Sequence, residues 1–133
     1  MKKVVAILII VGLLGYTFWQ YYENKKSEVV GLEIGNTAPD FELPLLNEEH
    51  QTIRLSSLKG KKVILNFWAS WCGPCKEEMP EMQEFYKNKS DDIEMIAVNM
   101  TYTEAKKENV SKFLEGKGFT FPILLDEKNK ASS

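Results

Sequence analysis

Residues 63–80, VILNFWASWCGPCKEEMP, join an apolar run to a pair of cysteines and then to a helical pattern. The run from Val63 to Trp68 is nearly free of polar residues, as in a strand that is buried on both faces of a parallel sheet. Beyond Pro74, side chains suited to a core recur at the spacing of one helix face. They are those of Cys75, Met79, Met82 and Tyr86. The stretch therefore predicts a buried strand that turns through both cysteines directly into a helix.

The two cysteines lie where this helix begins, and the position favours redox chemistry. Cys72 directly precedes the first turn, where free backbone N–H groups and the positive end of the helix dipole favour a thiolate. A lower thiol pKa supplies more nucleophile at neutral pH. Cys75 lies inside the first turn, close enough to close a disulfide onto Cys72. Pro74 occupies an early helical position, where a missing N–H costs nothing, and we expect Gly73 to keep the turn tight.

The sequence around the cysteines resembles a known family. Residues 71–76, WCGPCK, resemble the active site of thioredoxin. Residues 38–41 (APDF), 58–61 (LKGK) and 66–72 (NFWASWC) are similar to a narrower group. By these motifs the chain is identified as a member of the membrane-anchored TlpA/ResA-like thiol-disulfide oxidoreductases, which belong to the thioredoxin superfamily and carry an AhpC/TSA–redoxin type domain. These proteins serve cytochrome c maturation. The resemblance extends from about Gly35 to the end of the chain.

This resemblance implies an α/β, thioredoxin-like fold with a β-hairpin added at its N-terminal side. Two short strand candidates, residues 41–43 and 52–55, fit that hairpin on either side of a turn-like segment. Residues 93–98 predict a second buried strand, and residues 119–125 predict a further extended segment. Family members continue into a cis-proline loop, two strands and a final helix. We expect this chain to lack those elements and thus to be truncated at its C-terminus.

The segment after the second buried strand predicts the start of another helix. Its sequence, TYTE, fits a capping box in which Thr101 is the cap and Glu104 reaches back to it. We expect the helix that follows to direct Val110, Phe113 and Leu114 toward the core, and we expect Gly116 and Gly118 to stop it.

The resemblance also implies the roles of the site residues. Cys72 attacks a substrate disulfide as a thiolate, and Cys75 resolves the mixed disulfide, which leaves the Cys72–Cys75 disulfide. Trp71 shields the site in this interpretation. Glu78 lies one helical turn after Cys75 and matches a glutamate that tunes the thiols or shuttles a proton in the ResA-like group. The alternative for Glu78 is a solvated surface residue.

The expected partners follow from the same family. The substrate is a protein disulfide, such as that of an apocytochrome c, and the electrons come from a membrane thiol-electron donor protein. The inner dipeptide, Gly73-Pro74, is that of thioredoxin and favours reduction. No cofactor is expected, and two cysteines with one histidine, His50, are too few for a four-ligand zinc site unless chains share it. A net charge of −2 argues against a nucleic-acid partner.

The N-terminal residues predict a membrane anchor. Lys2 and Lys3 precede an uncharged, mostly apolar run that continues to Tyr22. A membrane-spanning helix needs roughly 20 residues, so residues 1–22 predict a transmembrane signal-anchor in contact with membrane lipid. A cleaved signal peptide is the alternative. Such a peptide has small residues after its apolar core, whereas residues 17–22, TFWQYY, are bulky.

An anchor of this kind divides the chain into three parts. Residues 1–22 form the signal-anchor, residues 23–36 a polar linker, and residues 37–133 an incomplete thioredoxin-like domain. The basic residues before the apolar run favour a cytoplasmic N-terminus only by a thin margin, because Lys25 and Lys26 follow it. The resemblance to the membrane-anchored family implies the same orientation, and we adopt it mainly for that reason. The domain then lies on the extracytoplasmic face of the bacterial cytoplasmic membrane, in a compartment where disulfides persist.

Two other interpretations stay open. A peroxiredoxin-type antioxidant enzyme also resembles this chain at residues 38–41, but its peroxidatic cysteine follows Pro and Thr, where this chain has Ala69, Ser70 and Trp71. An inactive, membrane-tethered thioredoxin-like fragment with a binding role is the non-enzymatic alternative. Against it, a bridge between Cys72 and Cys75 closes a very short loop and constrains little of the unfolded chain.

Overall fold

The structure, a computed structural model, describes residues 2–24, 29–46, 48 and 50–131. The chain divides into two units, one that ends at Pro39 and one that starts at Asp40. Residues 25–28 of the predicted linker, which include Lys25 and Lys26 of the orientation argument, lie outside the described residues.

The first unit contains helix α1, Lys2–Asn24, which forms on the predicted apolar run. Every described side chain from Val4 to Tyr22 is exposed. Beyond the helix, Val30 and Thr37 form a short parallel bridge. Within the described ranges, no helix combines the length and the hydropathy that a membrane span requires. The predicted transmembrane segment is therefore not supported by the structure.

The second unit begins with the predicted hairpin. Strand β1, Glu42–Pro44, pairs antiparallel with β2, Thr52–Arg54. A short 3₁₀ turn, Leu55–Leu58, follows β2. Asp40 accepts hydrogen bonds from the Ser56 backbone N–H and hydroxyl, both at 2.8 Å. These two bonds, with the nearby Arg54 guanidinium, hold the pKa of the Asp40 carboxyl below its ordinary value.

Three parallel strands form the sheet of this unit. They are β3, Lys62–Trp68, β4, Ile93–Asn99, and β5, Ile123–Leu125, in the order β3-β4-β5. Helix α2, Gly73–Asn88, connects β3 to β4, and helix α3, Glu108–Leu114, lies between β4 and β5. The register pairs Trp68 with Asn99 and Asn99 with Leu125. The carboxyl ends of all three strands therefore meet at one edge of the sheet, where the loops after β3 and β4 become neighbours.

The two faces of β4 pack into two different cores, as the alternation of a strand requires. Met95 and Ala97 belong to the core on the helix side, whereas Ile96 and Val98 belong to the core on the hairpin side. The helix-side core also contains side chains from β3, α2, α3 and the segment around β5, namely Trp68, Met79, Met82, Val110, Phe121, Ile123 and Leu125. The hairpin-side core adds Phe41, Leu43 and Leu124. The buried strand predicted for residues 93–98 is thus confirmed.

The prediction for β3 is only partly correct. The strand is present, but Ile64 is 40% exposed, and full burial is reached only at Trp68. Among the described residues, β4 is the one strand that pairs with β3. In the described sheet β3 is therefore an edge strand with neighbouring side chains on one side only, so its side chains are less covered than those of the central β4.

Candidate active site

Both cysteines lie at the start of α2, as the sequence predicts. Cys72 is the N-cap residue, with an extended backbone, and its Sγ accepts a hydrogen bond from the Cys75 N–H at 3.4 Å. The two residues form a disulfide with their Cα atoms 5.4 Å apart. In the dithiol state, the same N–H and the helix dipole would stabilise a Cys72 thiolate.

The two residues between the cysteines, Gly73 and Pro74, differ in how well they match the predictions. Pro74 lies in the first turn of α2, where its missing N–H leaves no bond unmade, as predicted. The prediction for Gly73 is wrong, because its φ is not positive and a Cβ at this position meets no atom within 4 Å. The turn therefore does not require glycine, and an added side chain would point into open space.

The sulfur atoms have different surroundings. Cys75 packs against the helix-side core, together with the buried face of α2 that carries Met79 and Met82. Cys72 is at the helix end, outside that core cluster. This arrangement fits a pair in which Cys72 meets the substrate and Cys75 resolves the intermediate; these roles stay predictions.

Trp71 is 61% exposed, so most of its ring surface faces solvent. Its indole N–H donates to the Thr103 Oγ1 at 3.1 Å, and that hydroxyl donates to the Met100 carbonyl at 2.7 Å. The segment after β4 thus holds one edge of the indole, and the remaining surface is free to contact a substrate chain beside Cys72.

Glu78 is exposed on α2. Within the described part of the chain, no hydrogen bond or ion pair joins its carboxylate to another residue. The geometry therefore leaves both interpretations of Glu78 open, and its proton-handling role stays a prediction.

The predicted capping box is wrong. Thr101 lies in a 3₁₀ turn, Thr101–Thr103, and its hydroxyl bonds to Asn99 at the Oδ1, 2.9 Å away. Helix α3 begins only at Glu108 and has no side-chain cap. Glu104 does not reach back to Thr101, because its carboxylate is engaged by the loop before Cys72.

Glu104 is the residue near the site that sequence reasoning missed. Its Oε1 accepts the backbone N–H of Ser70 at 2.6 Å and the Asn99 Nδ2 at 3.1 Å. Its Oε2 accepts the Ser70 hydroxyl. A signal did exist, since Ser70 and Glu104 each follow a predicted parallel strand, and such strand ends lie side by side. The local match to a capping motif obscured it.

The second unit combines a parallel sheet, a hairpin beside it and a disulfide at the start of α2. Together these features define a thioredoxin-like thiol-disulfide oxidoreductase. The chain belongs to the AhpC/TSA family, whose characteristic sequence matches residues 34–133.

Comparisons with individual proteins agree with this assignment. The chain is 42% identical over 128 residues to the thioredoxin-like protein YneN of Bacillus subtilis, covering 96% of this chain and 74% of YneN. It is 42% identical over 130 residues to the thiol-disulfide oxidoreductase ResA of Geobacillus thermodenitrificans, covering 96% of this chain and 70% of that protein. The crystal structure of StoA from Bacillus subtilis superposes with a TM-score of 0.60 at 38% identity, over 69% of this chain and 68% of StoA. These similarities confirm the thioredoxin-like fold and the ResA-like resemblance.

Proposed function

We propose that this protein reduces protein disulfides on the extracytoplasmic face of the bacterial cytoplasmic membrane, with an oxidised apocytochrome c as its substrate. The observation that carries the proposal is the cysteine pair at the N-terminus of α2, with the Cys72 Sγ at the cap and the Cys75 N–H directed at it. This position stabilises a thiolate, which is the attacking form in disulfide exchange.

The reaction starts from the dithiol. The Cys72 thiolate attacks one sulfur of the substrate disulfide, the other substrate sulfur leaves as a thiolate and takes a proton, and a mixed disulfide forms. The Cys75 thiolate then attacks the Cys72 Sγ, the second substrate thiol is released, and the Cys72–Cys75 disulfide remains. Two electrons have moved from the protein to the substrate. A membrane thiol-electron donor protein restores the dithiol, and Glu78 assists the proton transfers.

The direction of the reaction is supported by the inner dipeptide. Gly73-Pro74 is shared with thioredoxin, whose potential of roughly −270 mV is reducing, in contrast to roughly −120 mV for the oxidant DsbA. The substrate class is supported by the relatives, since ResA of Geobacillus thermodenitrificans is named a thiol-disulfide oxidoreductase. An apocytochrome c offers such a disulfide between the cysteines of its haem-binding C-x-x-C-H sequence.

Exchange itself is tested by trapping. In the full chain, Cys75→Ser leaves Cys72 without its resolving partner, so an oxidised C-x-x-C-H peptide should remain attached through a mixed disulfide visible by mass. The matched variant Cys72→Ser should form no such adduct. Absence of the adduct with the Cys75→Ser protein would refute the proposed chemistry. Turnover of hydrogen peroxide by the wild-type protein would instead favour the peroxiredoxin alternative.

The membrane attachment has its own support and its own test. Helix α1 exposes its apolar side chains, including Leu8 and Leu13, and carries no charged residue between Val4 and Tyr22. Replacing both leucines by lysine should move the protein into the soluble fraction, because a lysine inside a bilayer costs roughly 2.5–3.5 kcal/mol. The control Leu32→Lys, at an exposed position outside α1, should stay with the membrane. If wild-type protein is already soluble, the attachment is wrong.

The orientation is tested separately in intact cells. A membrane-impermeant maleimide should label the cysteines of the reduced protein only if the domain lies outside the cytoplasm. Labelling that appears only after the cells are lysed would place the domain inside and would remove the extracytoplasmic part of the proposal.

A further inference from the structure

A carboxylate from the segment after β4 anchors the loop between β3 and α2. This loop, Ala69 to Trp71, leads directly into Cys72, whose N–H donates to the Ala69 carbonyl at 3.0 Å. Both hydrogen-bond donors of Ser70, the central residue of the loop, donate to Glu104. The loop that leads into Cys72 is therefore tied to a residue from a different part of the chain.

The Glu104 carboxylate is itself held by the end of β4. Asn99 at the end of β4 is fully buried, and its Nδ2 donates to the Glu104 Oε1 at 3.1 Å. The Asn99 Oδ1 in turn accepts the Thr101 hydroxyl at 2.9 Å. The Trp68 carbonyl accepts the Met100 N–H at 2.9 Å, which ties the two strand ends together. Glu104 thus links the loop to a rigid point of the sheet, because its Oε1 also accepts from the fully buried Asn99 at the end of β4.

We propose that Glu104 is a positioning residue that keeps Cys72 at the N-cap of α2 and so sets the reactivity of its thiol. The effect of the helix dipole falls off within the first turn. A loop that loses its anchor lets the Cys72 sulfur leave the region where the free N–H groups stabilise a thiolate. Less thiolate then forms at neutral pH, and the nucleophile is slower.

Two substitutions of Glu104 distinguish the effect of its hydrogen bonds from the effect of its charge. In Glu104→Gln, the amide oxygen can replace Oε1 and accept the Ser70 N–H and the Asn99 Nδ2. The amide NH₂ can replace Oε2 and donate to the Ser70 hydroxyl, which accepts as well as donates. Glutamine therefore keeps the anchor and removes the charge, whereas Glu104→Ala removes both.

The experiment measures how fast iodoacetamide alkylates Cys72 at pH 7 in the full chain with Cys75→Ser, in which Cys72 is the one remaining thiol. We expect Glu104→Ala to lower the rate constant about tenfold, the equivalent of about one unit in thiol pKa. Glu104→Gln should stay within about twofold of the parent, since it retains the hydrogen bonds. The matched control is Glu81→Gln, which changes an exposed glutamate of α2 and should leave the rate unchanged.

Two results would overturn the proposal. An unchanged rate in Glu104→Ala would show that the loop needs no anchor, and an equal fall in Glu104→Gln would assign the effect to charge. If circular dichroism shows that Glu104→Ala does not fold, Ser70→Ala takes its place. That variant removes one of the two loop contacts and must lower the rate by about fivefold, the equivalent of the typical net contribution of one hydrogen bond; an unchanged rate overturns the proposal.

This inference rests on the thiol that the proposed function uses, but alkylation requires no protein substrate. Failure to reduce a C-x-x-C-H peptide would count against the proposed function alone. Failure of the Glu104 series would count against positioning alone.

Discussion

Met79 links the cysteine helix to the core, and its replacement gives the most direct test of how α2 is held. Its side chain is fully buried in the helix-side core, one turn after Cys75. Met79→Ala removes three heavy atoms from this site. The lost burial and the cavity that remains together predict a loss of about 2–5 kcal/mol in the free energy of unfolding.

Two further variants of α2 test whether burial or side-chain size determines the loss of stability. Met79→Leu conserves most of the volume and should cost less than about 1.5 kcal/mol. Phe85 lies on the same helix but is 40% exposed, so Phe85→Ala removes a larger side chain from a less buried site. If packing depends on burial rather than on side-chain size, Met79→Ala destabilises more than Phe85→Ala.

Urea unfolding of the oxidised full chain, followed by circular dichroism, measures all three variants on one scale. The midpoints should shift while the slopes stay equal, as expected when only stability changes. A loss below about 1 kcal/mol in Met79→Ala would refute the packing of α2 described above, because even the smallest losses for buried methionine exceed it.

Three further predictions concern individual contacts. The folded-state pKa of Asp40 lies below its ordinary value of 3.8. The ionised carboxylate therefore stabilises the fold fully above pH 3.8, and this stabilisation is lost as the pH falls through the folded-state pKa. The free energy of unfolding in urea should accordingly change less between pH 7 and pH 3 for Asp40→Asn than for the wild type. Glu78→Gln should slow peptide reduction roughly a hundredfold without changing stability if Glu78 moves a proton, and an unchanged rate would leave it a surface residue. Thr103→Val removes the acceptor of the Trp71 indole, so acrylamide should quench tryptophan fluorescence more strongly while stability falls by no more than about 1.5 kcal/mol; unchanged quenching would contradict the contact.

Local patterns predicted the elements of the site well. The apolar run that ends at Trp68, the cysteine spacing and the early Pro74 depend on neighbours within a few residues, and the structure has a strand, a cap and a first turn at these places. The two short strands beside the turn-like segment and the buried β4 were also predicted from short segments, whereas the pairing of the two strands as a hairpin was implied by the family resemblance.

The errors arose where a local motif competed with a distant partner. TYTE at residues 101–104 matches a capping box, but the Glu104 carboxylate gains more from the free N–H and hydroxyl of Ser70, 34 residues earlier in the chain. Gly73 suggested a tight turn, yet its conformation is one that other residues adopt. The partial exposure of β3 likewise depends on which strands pair beside it, and an apolar run alone does not show that.

The sequence alone was enough to place Cys72 and Cys75 and to infer their chemistry. This inference used the charge at a helix start, the spacing of the cysteines and the apolar periodicity, which are all properties of residues close together in the chain. The register of β3 and β4 was decided only when the strands paired, because hydrogen bonding between strands, and not local preference, aligns Trp68 with Asn99. That alignment brings Glu104 within hydrogen-bonding distance of Ser70, and Thr103 within hydrogen-bonding distance of Trp71. The surroundings that hold the reactive loop are therefore a product of the sheet, while the reactive groups themselves are a product of the local sequence.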